Sequence, residues 1–214
     1  MTRLWLLGGM LFALTMAGLS LHAPGALGIG SIRLKTWFVV IAGISAVVYL
    51  LAVLLVTHRP VGGRALWVVL LVATALRVPL IAAPAFLSTD IYRYVWDGRV
   101  QAAGVNPYRY LPADPALQSL RDDAVYPRIN RADYAPTIYP PAAQMVFAVV
   151  GQVWSSVTGV KAAMVGFEVL AVFCLIRLLA AAGLPTERVL IYGWNPLPVW
   201  DFAGNGHVDA MAIG

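Results

Sequence analysis

The apolar positions of this chain run in long unbroken stretches, not in the one-sided stripe of a helix on a soluble core. Residues 4–21, 37–56, 65–86 and 160–179 are predominantly apolar around the helix, and they approach the roughly 20 residues that a helix needs to cross a bilayer. A fifth run, residues 189–202, holds Pro196 and Pro198, which predict a kinked span. Residues 142–154 are equally apolar but short for a crossing, and predict a helix lying in the membrane interface. Residues 22–36, with their glycines and proline, read as a loop, and residues 57–64, THRPVGGR, as a short basic turn. Polar character concentrates in residues 88–141, between the third span and the short helix. The pattern predicts an all-α fold, a polytopic transmembrane helical bundle. It forms one membrane domain over residues 1–214 with a large loop bearing short helices.

Composition agrees. The chain is 60% hydrophobic and 12% charged, where a soluble chain has roughly 25% charged residues. Its net charge of +5 is scattered, with no basic cluster of the kind that meets nucleic acid, so the partner implied is the lipid bilayer. The single cysteine, Cys174, excludes an internal disulfide. The first run reads as an uncleaved span in preference to a signal peptide, because Leu21-His22-Ala23-Pro24 puts a large residue where a small one is wanted and a proline next. Arg3 and the basic turn at residues 57–64 place both on the cytoplasmic side, although Arg33 and Lys35 pull the other way. An interfacial 142–154 keeps Arg177 and Arg188 inside as well. Residues 88–141 and 205–209 are then extracytoplasmic. The last residues open a further apolar helix, so the chain reads as the N-terminal part of a longer protein.

The chemistry gathers in residues 88–110, STDIYRYVWDGRVQAAGVNPYRY. Ser88, Thr89 and Asp90 are helix-start residues, and Gly104 followed by Asn106-Pro107 is a helix stop. Between them Asp90, Arg93, Tyr94 and Asp97 recur at i, i+3, i+4 and i+7, on one helical face. Such a face is either a solvated surface with local ion pairs or a site. The loop 88–141 holds six of the ten acids of the chain, and Arg99, Arg128 and Arg131 among its cations. Within the spans, Arg77 either snorkels to the outer interface or points inward to an anion. Glu168 lies mid-span and must face the bundle. No phosphate-binding glycine loop, dinucleotide fingerprint, zinc-ligand cluster or nucleophile elbow occurs.

Three separated motifs, the 88–110 stretch, Ile138-Tyr139-Pro140-Pro141, and the Asn195-Pro196 and Gly204-Asn205-Gly206-His207-Val208-Asp209-Ala210 run, resemble the bacterial polyprenol-phosphate-sugar-dependent glycosyltransferases of the C-type (GT-C) fold. The mannosyltransferase-like members are the nearest group. The resemblance covers roughly residues 77–209. It implies a cell-envelope enzyme of the bacterial plasma membrane with its active site on the extracytoplasmic side. The donor implied is a polyprenyl-phosphate sugar, with mannose as the expected sugar, and the acceptor a glycan or glycolipid. In that family a carboxylate of the first large outer loop is the catalytic base, and Asp90 occupies its place, with Asp97 as the second candidate. Relatives often pair two adjacent acids there. Thr89 stands in one of those places here, which puts a divalent metal in doubt, and no other cofactor is implied. Sugar transfer with a phosphate leaving group needs such a base and cations on the phosphate. Arg93, Arg99, Arg128 and Arg131 are the candidate cations. Tyr94 and Tyr139 are candidate sugar contacts, and His207 and Asp209 candidate contacts to phosphate, sugar or acceptor. The competing readings are a polytopic transporter or lipid flippase, with Arg77 and Glu168 on its substrate path, and a non-catalytic assembly partner.

Overall fold

In a membrane, backbone polar groups must be satisfied within the segment, so long apolar runs become helices. The computed structural model of the chain describes residues 1–21, 31–58, 64–85 and 87–214. Most of the predicted loop 22–36, residues 59–63 of the basic turn, Phe86 at the end of the predicted third span, and the side chains of Arg33 and Lys35 lie outside the described residues. The architecture is all-α, with no strand among the described residues. Among the described residues four helices are long and apolar enough to cross a membrane: α1 (Thr2–Ser20), α2 (Ser31–His58), α3 (Ala65–Ala82) and α6 (Val157–Ala181). Helix α2 begins at Ser31, so the predicted loop gives up its last six residues to the helix. Two shorter helices lie between α3 and α6, α4 (Asp90–Ala102) and α5 (Pro141–Val153).

The chain divides into two compact units. One joins Met1–Ala83 with Val169–Asp201, the other Pro84–Glu168 with Phe202–Gly214.

In the first unit α1 packs on α2 and α3. The expected fifth span, residues 189–202, is not one helix. It breaks into a 3-10 turn (Thr186–Val189), α7 (Leu190–Gly193), a turn at Pro196–Pro198 and a π-helical turn over Val199–Gly204. Pro196 and Pro198 lack the N–H groups that a continuous helix would need, and Asn195 restarts the chain by accepting from Leu197 N at 3.0 Å. The break leaves carbonyls without intrahelical donors. Tyr49 from α2 donates to Ile191 O at 2.8 Å, and Arg77 from α3 donates to Gly193 O at 2.8 Å and to Ala73 O at 3.0 Å. Trp194 Nε1 in turn donates to Val69 O at 2.9 Å. Arg77 is 6% exposed, and the backbone carbonyls of Ala73 and Gly193 are among its partners.

In the second unit α4 and α5 form the principal contact. They approach so closely at Gly98 and Gly151 that a Cβ on Gly98 would collide with the Phe147 carbonyl oxygen, and one on Gly151 with the Gly98 backbone. Tyr94 stacks on Phe147 of α5 at 4.8 Å and meets Tyr139 edge-on at 4.8 Å. Helix α4 ends as the sequence predicts. Gly104 takes φ 77, its N–H reaches Gln101 O at 2.9 Å, and Val105 N reaches Val100 O at 3.1 Å, the double bond of a Schellman stop. Loop residues 103–140 contain two 3-10 turns and are tied to α4 by an Arg99–Asp122 ion pair at 2.9 Å. On α6, Glu168 is buried, and so is Lys161 seven residues earlier on the same face, a residue the apolar pattern conceals.

Candidate functional site

Helix α4 carries the polar face expected of it, and that face is not solvated. Arg93, Tyr94 and Asp97 are all buried, while Asp90, in the first turn, stays partly open. Ser88 Oγ accepts from the Asp90 N–H at 3.2 Å, and Thr89, at the cap position, makes no side-chain cap bond. Asn130 Nδ2, from the loop, donates to Asp90 Oδ1 at 2.6 Å.

In front of this face lies a recess of about 190 Å³, lined among others by Asp90, Arg93, Asn130, Arg131, Thr137 and Tyr139. Two guanidinium groups against one carboxylate give its wall a positive balance. Arg131 holds its place at a positive φ of 57°, a conformation uncommon for a residue with a side chain. Arg93 donates from Nε to Asp97 Oδ1 at 3.0 Å and from Nη1 to Ala135 O at 3.1 Å. Its Nη2 is buried with no hydrogen-bond partner.

Behind the recess Asp97 is 1% exposed. Besides Arg93 it accepts from Thr137 Oγ1 and, at 2.8 Å, from Gln144 Nε2. Burial pushes its carboxyl above the usual range. The Arg93 charge, the Thr137 and Gln144 donors and the Arg93 hydrogen bond offset part of that. The Tyr94 and Tyr139 phenols influence each other's ionisation, and the Val208 backbone N–H favours the ionised Tyr94. Both phenols are pushed upward, first by burial and further by the Asp90 charge.

The segment after the π turn is fixed at its start. Leu87 N donates to Asn205 Oδ1 at 3.0 Å. Gly206 takes φ 67, and a Cβ there would lie 2.5 Å from Ile91 Cδ1, so only glycine fits. His207 Nδ1 lies 3.8 Å from Asp209 Oδ2, and the Asp209 side chain is largely exposed.

Of the residues that the sequence nominated, Asp90, Arg93, Arg131 and Tyr139 share the recess, with Tyr94 and Asp97 directly behind it. Arg99 and Arg128 do not line it. Arg99 pairs with Asp122 and donates to Leu120 O at 3.2 Å. Arg128 lies over the Tyr92 ring at 5.4 Å and donates to Ala124 O at 2.8 Å. These are the contacts of cations that order a loop. Sequence reasoning missed Asn130, Thr137 and Gln144, which carry no charge. Gln144 alone had a signal, as a polar residue in the apolar run of α5.

No curated protein and no solved structure matches the chain. The family model described as "Alpha-(1->6)-mannopyranosyltransferase, N-terminal domain" matches residues 4–214, nearly the whole chain. With its apolar helices this makes the chain a mannosyl-transferring glycosyltransferase of the membrane, and it belongs to the alpha-(1->6)-mannopyranosyltransferase family.

Proposed function

We propose that the chain transfers mannose from a polyprenyl-phosphate donor to a glycan or glycolipid acceptor at the outer face of the bacterial plasma membrane, in a GT-C type fold. Asp90 is the general base. It takes the proton of the acceptor hydroxyl as that oxygen forms a bond to C1 of the mannose, while the C1–O bond to phosphate breaks and the phosphate keeps the electron pair. Arg93 and Arg131 stabilise the charge that develops on the leaving phosphate. Tyr139 borders the sugar with Tyr94 packed behind it, and His207 and Asp209 stand on the acceptor side. On this reading residues 88–141 and 205–209 face outward, and α5, at 13 residues too short to cross, lies in the interface.

The observation that carries the proposal is that one recess is lined both by the partly open carboxylate of Asp90 and by Arg93, whose Nη2 is buried without a hydrogen-bond partner. Ile138 lines the recess and is 75% exposed, so it is the place for a probe. In a Cys174→Ser background, Ile138→Cys is expected to react with a membrane-impermeant thiol reagent added to intact cells. Synthetic polyprenyl-phosphate mannose is expected to slow that reaction. Labelling that requires permeabilised cells would put the recess on the wrong side. Labelling that the lipid donor leaves unchanged would remove the donor from it.

A further inference from the structure

An Arg–Asp pair four residues apart on a helix commonly closes as a fork, with two guanidinium nitrogens on two carboxylate oxygens. Arg93 and Asp97 do not. Only Nε reaches Oδ1, at 3.0 Å, because Oδ2 is taken by Thr137 Oγ1 and by Gln144 Nε2. Gln144 is held to that role. Its Oε1 accepts from Gln101 Nε2 at 2.8 Å, so its amide N–H groups must face Asp97, and one also reaches Thr137 Oγ1 at 2.9 Å. Gln101 is itself anchored on Gln144 O at 3.0 Å. The outcome is a guanidinium whose plane is fixed by Asp97 and Ala135 O while Nη2 is left buried and unpaired. A buried N–H group without a partner is costly, and a native structure rarely keeps one without a use.

We infer that Thr137 and Gln144 are positioning residues. By occupying the second oxygen of Asp97 they keep Nη2 of Arg93 available for an anionic oxygen of the donor phosphodiester. This rests on the reading of the recess as a lipid-phosphate-sugar site. Asp97 holds Arg93 in this way when it is ionised. The charged or titratable groups facing it are Arg93 of α4 and Tyr139 of the segment before α5, while α5 presents the neutral Gln144. The Thr137 hydroxyl favours the ionised carboxylate. Its removal therefore raises the pH below which Arg93 is released.

The test is steady-state transfer in membranes carrying the intact protein, with synthetic polyprenyl-phosphate mannose varied across pH. Thr137→Val is expected to lower kcat/KM for the donor roughly tenfold, to leave the acceptor KM unchanged, and to move the acid limb of the donor profile to higher pH. Thr137→Ser, which restores the hydroxyl, should restore both. If Thr137→Val does not reach the membrane folded, Gln144→Met removes the other donor at similar volume and carries the same expectation. A donor KM and acid limb like the parent's overturn the inference, and so do equal losses in the Val and Ser variants, which mark a packing effect. The functional reading fails separately, if Asp90→Asn turns over normally.

Discussion

Asp90→Asn is expected to keep the fold and to lose turnover by ~10²–10⁴, the usual cost of removing a general base. The substitution is isosteric. An asparagine oxygen still accepts from Asn130, as the carboxylate does at 2.6 Å, and the Arg93–Asp97 pair is untouched. What is lost is the capacity to take a proton. Measured at matched membrane levels and saturating lipid donor, the loss should fall on kcat. Asp97→Asn is expected to behave differently. Asp97 is buried behind the recess with three donors on it, so its loss should raise donor KM through Arg93. Normal turnover in Asp90→Asn together with an inactive Asp97→Asn would reverse these roles.

The second large effect is expected at Arg93. Arg93→Lys keeps the charge, but a single ammonium cannot reach Asp97, the Ala135 carbonyl and a ligand with the geometry of the guanidinium fork. Loss of this stabilising group should cost about 10²–10³ in kcat/KM for the donor. Simple deletion is a poorer test. Arg93→Met leaves Asp97 as a buried charge without its partner, which destabilises the fold by about 3–5 kcal/mol. The double variant Arg93→Met/Asp97→Asn removes both charges. It should recover thermal stability relative to Arg93→Met and remain inactive. Recovery of activity together with stability would assign Arg93 to folding alone.

The sequence made the long elements legible for a simple reason. A helix that meets lipid must be predominantly apolar, and α1, α2, α3 and α6 are, with Arg77, Lys161 and Glu168 buried among their apolar residues. Helix α4 was legible from local chemistry, a polar start at residues 88–90 and a stop at Gly104. The broken segment at residues 189–202 was not. Its prolines announced a kink, but the carbonyls freed by the break are met by Tyr49 and Arg77, more than a hundred residues away along the chain. The same limit applies to the arginines. Arg93, Arg99, Arg128 and Arg131 look alike in sequence. Only long-range contacts, to Asp122 for Arg99 and to the Tyr92 ring for Arg128, separate the cations that order the loop from the two that line the recess. Asp90 and Asp97 shared one helical face as expected. Their different roles follow from burial, which periodicity does not carry.

One transfer experiment tests most directly whether Asp90 activates an acceptor against a lipid-phosphate mannose. Washed membranes carrying the intact protein are supplied with radiolabelled polyprenyl-phosphate mannose or, separately, with a radiolabelled nucleotide-activated mannose, and glycan and glycolipid products are counted. The account predicts label from the lipid donor, none from the nucleotide sugar when lipid-phosphate mannose cannot be formed from it, and loss of product in Asp90→Asn. Product formed directly from the nucleotide sugar, or undiminished product from the lipid donor in Asp90→Asn, would contradict it.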